Sequence, residues 1–210
     1  MRESSVNNIL SKAGGLYAGA RGFSLVEMLI AMAVGMVVLG AMYGVFNIQS
    51  KTLGNQEEIV AMQQSVRAGM DMMAREIGMA GYNPAEATLV GVTYDTTQLR
   101  IMADLKGNRD TEDENEDIVY KYYDENSAYP YQIKRKTGGG DFQPFVENVK
   151  SFTFEYLKGD GSSATNSADI RQIRITITGR TAKPDPSYSA NGGYRTYTLT
   201  SVIAPRNLAF

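Results

Sequence analysis

Histidine and cysteine are both missing from this chain of 210 residues. The chain therefore has no disulfide, no thiolate nucleophile, no Ser-His-Asp triad and no zinc site built from histidine or cysteine, because each needs a residue that is absent. Carboxylates are plentiful, but no pattern places two of them across a cleft. We expect a protein that is not an enzyme, with no catalytic residue, no cofactor and no bound metal.

A strong charge imbalance is also missing. The net charge is -2 and the isoelectric point is near 5.3, so nothing in the overall electrostatics attracts nucleic acid. The hydrophobic fraction of 43% and the charged fraction of 21% are typical of a globular protein. This length allows one modest domain, or one domain with an extended arm.

One long apolar segment runs from Phe23 to Phe46, and no charged side chain lies between Glu27 and Lys51. A helix of this length measures about 36 Å, which is enough to cross a hydrocarbon layer of about 30 Å. The preceding residues carry Arg2, Lys12 and Arg21 against Glu3. This excess of positive charge predicts a cytoplasmic amino terminus and an outward-facing carboxy-terminal region.

Glu27 is the exception inside this apolar segment. A carboxylate at such a position costs on the order of 3 kcal/mol on insertion scales, so it calls for a cationic partner. No cation lies nearby in the helix itself. The free amino group of Phe23 in another copy or partner subunit would serve if the chain were cleaved after Gly22.

The string from Gly22 to Glu27, Gly-Phe-Ser-Leu-Val-Glu, resembles the prepilin cleavage and methylation motif of type IV pilins and type II secretion pseudopilins. The resemblance implies that a prepilin peptidase cuts between Gly22 and Phe23 and methylates the amine of Phe23. Glu27 would then neutralise the amine of a neighbouring subunit during assembly. The alternative is an uncleaved signal anchor whose glutamate lies at the membrane edge.

Small residues recur along the apolar segment at Ala31, Gly35, Gly40 and Gly44. The Gly40-x-x-x-Gly44 spacing permits close approach of a second helix, which predicts a helix-packing surface. Glycine is also common in membrane helices, so simple tolerance of these residues stays open.

The rest of the chain predicts a long helix followed by a sheet. Apolar residues at helical spacing from Ile59 to Ala80 predict an amphipathic half-helix, and Gly78, Gly81 and Pro84 predict its end. Alternating apolar residues predict strands at 98–103, 118–123, 131–136, 152–156, 173–177 and 196–203. The predicted class is α+β, a pilin-like lollipop with a long amino-terminal helix packed on an antiparallel sheet. Its parts are a leader (1–22), a membrane helix (23–46), an amphipathic half-helix (47–80) and an outward β-rich domain (81–210).

Patches at 75–82, 146–156, 170–178 and 201–208 look similar to PilW-type minor pilins and the related J-type pseudopilins. The resemblance implies a minor pilin that helps to start a type IV pilus, with its place at the tip or along the shaft left open. Implied partners are other minor pilins, the major pilin, the prepilin peptidase and the inner-membrane assembly platform. The implied location is the bacterial inner membrane and then the cell surface. A minor pseudopilin of type II secretion and an anchored binding module that never polymerises are the alternatives.

The segment Asp104–Asp117, which we name the acidic loop, holds seven carboxylates against Lys106 and Arg109. Clustered carboxylate oxygens are what calcium requires, but the alternating ligand pattern of an EF-hand is missing. A solvated loop is the favoured interpretation. Calcium binding and a docking surface for a basic partner are the alternatives.

Overall fold

The computed structural model of this chain describes residues 22–86, 88–128 and 130–208. The chain divides into two compact units, Met1–Thr52 and Leu53–Phe210. In the described part of the chain, one α-helix, α1, runs over Leu25–Met79. Its bounds agree with the predicted helix to within two residues at each end.

In the second unit, one face of α1 is buried at the spacing that the sequence predicts. The buried side chains of this face are Met62, Val66, Met70, Met73, Ile77 and, just past the helix, Ala80. Ile59 is only half-buried. The helix ends where Gly81 takes a positive φ of 78°, a conformation that glycine adopts at little cost.

Eight strands follow the helix among the described residues, and every pairing between these strands is antiparallel. Their bounds are β1 Val92–Thr93, β2 Gln98–Met102, β3 Asp117–Tyr123, β4 Gln132–Thr137, β5 Gln143–Glu147, β6 Val149–Leu157, β7 Gln172–Arg180 and β8 Thr196–Ile203. The α+β class with one long amino-terminal helix and antiparallel strands is therefore confirmed. The lollipop outline stays a prediction.

The strands form two sheets where the sequence predicted one. One sheet has the order β1-β2-β3-β4-β5, and the other has the order β6-β7-β8. The chain changes sheet at Asn148, which lies between β5 and β6 with a positive φ of 56°. This left-handed residue interrupts what would otherwise be one long strand, and asparagine tolerates it better than most residues.

One core joins the amphipathic face of α1 to both sheets. Strand β7 alternates strictly between buried and half-buried residues, with Ile173, Ile175 and Ile177 fully buried. The five-stranded sheet adds Leu99, Ile101, Tyr120 and Ile133 to the same cluster. Alternation of this kind is expected where one face of an antiparallel sheet covers a core.

Candidate functional site

The start of α1 carries two reciprocal hydrogen bonds between Ser24 and Glu27. The backbone N–H of Glu27 donates to Ser24 Oγ at 3.2 Å, and the backbone N–H of Ser24 donates to Glu27 Oε2 at 3.4 Å. This is a capping box, in which an N-cap serine and a glutamate three residues later satisfy each other's backbone donors. Glu27 therefore has a partner within its own chain, which the sequence analysis did not foresee.

The predicted cleavage bond, Gly22–Phe23, lies just before this capped helix start. Neither residue is helical, and both are exposed, with Phe23 at 86%. Backbone that is exposed and outside a helix is accessible to a peptidase. The assignment of Gly22 and Phe23 to cleavage and methylation stays a prediction.

The apolar segment from Phe23 to Phe46 exposes its large hydrophobic side chains. Among these residues the exposed fraction ranges from 47% for Val38 to 86% for Phe23. The helix is long and apolar enough to cross a membrane, judged by its length and composition. A continuous apolar surface of this extent belongs against lipid or other protein.

The small residues predicted to pack against another helix have open space around them. A Cβ atom built on Gly35, Gly40 or Gly44 meets no atom of the described chain within 4 Å. Ala31 is exposed as well. The three glycines therefore leave open space on the described part of the helix surface. Their predicted role between subunits stays a prediction.

A buried carboxylate on α1 is a second feature that the sequence analysis missed. Glu76 is only 7% exposed, and its Oε2 accepts a hydrogen bond from the hydroxyl of Tyr120 on β3. Arg135 on β4 donates to Glu76 Oε1 at 2.9 Å and to Asn115 Oδ1 at 2.7 Å. Burial, with the negative charge of Glu76 next, raises the pKa of Tyr120, so the hydroxyl keeps its proton and donates. The cluster fixes the helix to the five-stranded sheet.

The acidic loop is less solvated than the sequence predicted. Asp104 and Glu116 are each 1% exposed, while most of their neighbours in the loop are exposed. Backbone N–H groups of the same loop surround both carboxylates. The loop is therefore folded around two of its seven carboxylates.

Comparison with known proteins gives a family match to the amino-terminal segment and weak likeness to solved structures. Residues 18–43 match the model of the prokaryotic N-terminal methylation motif. No curated protein matches the chain. Among solved structures, the chain is similar to a type IV-like pilin, TTHA1219 from Thermus thermophilus, with 14% identity and a TM-score of 0.45. That likeness covers 71% of this chain and 100% of the other.

The motif match bears on the amino-terminal segment alone, since it ends at residue 43. It establishes that the chain carries a prepilin-type methylation motif on an apolar helix suited to membrane anchoring. It also supports the prediction of a structural subunit and not an enzyme. The similarity to PilW-type minor pilins stays a prediction.

Proposed function

We propose that this chain is a minor pilin, a structural subunit that helps to start assembly of a type IV pilus. The observation that carries the proposal is the methylation motif on a helix whose apolar side chains are exposed from Phe23 to Phe46. Such a surface requires lipid before assembly and neighbouring helices afterwards. In this proposal the apolar helix anchors the chain in the membrane and later packs against the helices of other subunits. The outward domain selects the neighbouring subunits.

In this proposal the chain is cut between Gly22 and Phe23, and the new amino group of Phe23 is methylated. The exposed, non-helical backbone at both residues supports cleavage there. Before assembly the chain is anchored in the inner membrane with its β-rich domain outward, and it then joins a filament at the cell surface. Its partners are other minor pilins, the major pilin, the prepilin peptidase and the inner-membrane assembly platform.

Glu27 has a double role in this proposal. Within the chain its carboxylate accepts from the backbone of Ser24 and stabilises the first turn. Between subunits its charge pairs with the methylated amine of a neighbouring Phe23, which offsets the cost of a carboxylate in an apolar surrounding. The first role needs only an acceptor oxygen, whereas the second needs a negative charge.

Small residues on the same helix support close packing in the filament. Gly35, Gly40 and Gly44 have open space where a Cβ atom would stand, and Ala31 is exposed, so each offers a site where a neighbouring helix can approach. Interfaces between apolar helices are rich in residues of this size because the backbones then come close together.

The two roles of Glu27 separate in three variants made in the native host. Glu27→Gln keeps an acceptor oxygen for the cap and removes the charge, whereas Ser24→Ala removes the serine cap and keeps the charge. We expect Glu27→Gln and Glu27→Ala to lower the amount of subunit in sheared filaments at least about tenfold, equivalent to ~1.4 kcal/mol. Ser24→Ala should leave incorporation near the wild-type level.

The measurement is an immunoblot of sheared filaments against total membranes, with membrane levels of each variant as the control. Full incorporation of Glu27→Gln would refute the charge pair. Loss of incorporation in Ser24→Ala, with Glu27→Gln unaffected, would assign Glu27 to helix capping alone.

A further inference from the structure

The acidic loop joins β2 to β3 and is built around Asp104. Asp104 Oδ1 accepts from the backbone N–H of Gly107 at 2.6 Å, and Oδ2 accepts from that of Arg109 at 3.0 Å. Gly107 and Arg109 have positive φ values of 71° and 74°. Both oxygens of this buried carboxylate are therefore used to hold the turn.

Glu116, at the other end of the loop, is not satisfied in the same way. Its Oε1 accepts from the backbone N–H groups of Leu105 and Lys106, each at 2.9 Å. Its Oε2 is buried and has no hydrogen-bond partner among the described residues. A buried carboxylate oxygen without a partner is costly, because desolvation disfavours the charge and no donor compensates it.

Two further carboxylates face Glu116. One oxygen each of Asp110, Asp113 and Glu116 lies within 4.8 Å of the others, with Asp110 exposed, Asp113 half-buried and Glu116 buried. Three negative charges this close repel each other strongly unless a cation lies between or beside them.

The ammonium group of Lys106 already neutralises part of this negative charge. Lys106 Nζ lies 2.6 Å from Asp113 Oδ1. That hydrogen bond raises the pKa of Lys106, and the charges of Asp113, Glu116 and Asp110 add to the effect. The Lys106 side chain is 64% exposed, so it can swing into solvent, and its bond to Asp113 leaves Glu116 Oε2 unpartnered.

We propose that Asp110, Asp113 and Glu116 form a calcium site. The calcium ion replaces the ammonium group of Lys106, which neutralises only part of the negative charge of the three carboxylates. The unpartnered Oε2 of Glu116 supplies the buried ligand, and Asp110 and Asp113 supply ligands from the solvent side. Water and backbone carbonyls complete the shell. This inference departs from the sequence-based expectation of no metal, because burial of Glu116 was not visible in the sequence.

Calcium fits this donor set better than other common cations. All three ligands are carboxylate oxygens, which excludes the softer metals that prefer nitrogen or sulfur. The carboxylates stand on an irregular loop at unequal depths, and calcium accepts such flexible geometry. Magnesium demands a nearly ideal octahedron and keeps several of its waters.

The test is calorimetry on the full chain in detergent micelles, freed of metal with a chelator and titrated with calcium chloride. We expect one calcium ion per chain with a dissociation constant between about 10 μM and 1 mM, the range of sensor and extracellular sites. Magnesium should bind at least tenfold more weakly. No calcium heat at about 10 mM metal, or magnesium binding as tightly as calcium, would overturn the proposal.

Variants distinguish this site from general attraction to an acidic surface. Asp110→Asn alters an exposed residue and should weaken calcium binding at least tenfold without unfolding the chain. Glu116→Gln should abolish binding, and Asp110→Asn keeps the test decisive if the Gln variant does not fold. The matched control is Glu114→Gln, an exposed carboxylate of the same loop outside the cluster, which should bind as wild type does. Equal weakening in the control and in Asp110→Asn would overturn the site.

Lys106 and Arg109 give an independent readout, since trypsin cleaves after both residues. Calcium should slow cleavage after Arg109 in the wild-type chain and not in Asp110→Asn. Lys106→Gln removes the competing cation and should tighten calcium binding. Unchanged affinity in Lys106→Gln would refute the exchange of Lys106 for the metal.

Discussion

At the scale of single residues, Glu76 is a buried charge that links α1 to two strands of the five-stranded sheet. Its two oxygens accept from Tyr120 on one strand and from Arg135 on the next. The side chains of Arg135 and Glu76 are 15% and 8% exposed, so this ion pair is largely removed from water. A substitution that removes one partner of such a pair leaves the charge of the other partner buried and unpaired.

We therefore predict that Glu76→Ala lowers the free energy of unfolding by about 3 kcal/mol. Tyr120→Phe removes one donor to a buried carboxylate and should cost about 2 kcal/mol. The measurement is urea unfolding followed by near-ultraviolet circular dichroism of the tyrosines. Glu57→Ala, at an exposed position of the same helix, should stay within about 0.5 kcal/mol of wild type. A Glu76→Ala chain as stable as this control would contradict the role of the cluster.

Asp185, between β7 and β8, predicts a pH dependence. Its Oδ1 accepts from the hydroxyl and the backbone N–H of Ser187, and its Oδ2 accepts from Arg195 at 2.9 Å. These bonds, those of Ser187 first, lower the pKa of Asp185 to about 2. Because the ordinary value is about 3.9, the resulting stabilisation is complete above that pH and is lost as the pH falls towards 2.

We expect Asp185→Asn to lose less stability than wild type when the pH falls from about 5 to 2, because it has no carboxylate to protonate. Ser187→Ala should change the profile in the same direction by a smaller amount. The measurement is a series of urea midpoints at stepped pH values. Identical slopes for Asp185→Asn and wild type would show that this carboxylate does not contribute.

At the scale of elements, two glycines of α1 have opposite surroundings. A Cβ atom on Gly69 would overlap the side chain of Val146 on β5, whereas one on Gly54 would meet no atom within 4 Å. The first glycine therefore permits close packing of the helix on the five-stranded sheet. The second only weakens the helix.

Alanine at these two positions should change stability in opposite directions. Gly69→Ala should lower the free energy of unfolding by about 1 to 3 kcal/mol through overpacking. Gly54→Ala should raise it by up to about 1 kcal/mol through helix propensity. Urea midpoints of the two variants give the comparison, and a stabilised Gly69→Ala chain would refute the close contact with Val146.

The sequence predicts helix α1 well and β5 not at all, for a physical reason. The apolar stripe from Ile59 to Ala80 is a local pattern, and local periodicity survives folding. Pro144 argues against a strand, but β5 is an edge strand of its sheet, where a missing N–H is tolerated.

The candidate sites also differ in whether a local sequence pattern reveals them. The string from Gly22 to Glu27 is a contiguous motif and could be found directly. The Ser-x-x-Glu signal for the capping box lies in the same string, although it was not used to predict the cap. Burial of Glu76 and Glu116 depends on residues from other strands and turns. No pattern in the neighbouring sequence predicts such burial.

At the scale of the whole molecule, the two units differ in whether their apolar side chains are exposed or buried. The amino-terminal helix segment exposes its apolar side chains, and the second unit buries its own around a single core. We propose that membrane anchoring and filament packing belong to the first unit and partner choice to the second. In this proposal, filament packing depends on the conversion of Phe23 into a new amino terminus.

The most direct test of this account is mass spectrometry of the native amino terminus, on chain purified from the host's membranes and filaments. The account predicts that the mature chain begins at Phe23 and carries one methyl group on its amine. In a host without prepilin peptidase the same chain should keep the residues that precede Phe23. Filament material from the wild-type host that still carries the residues before Phe23 would contradict the account.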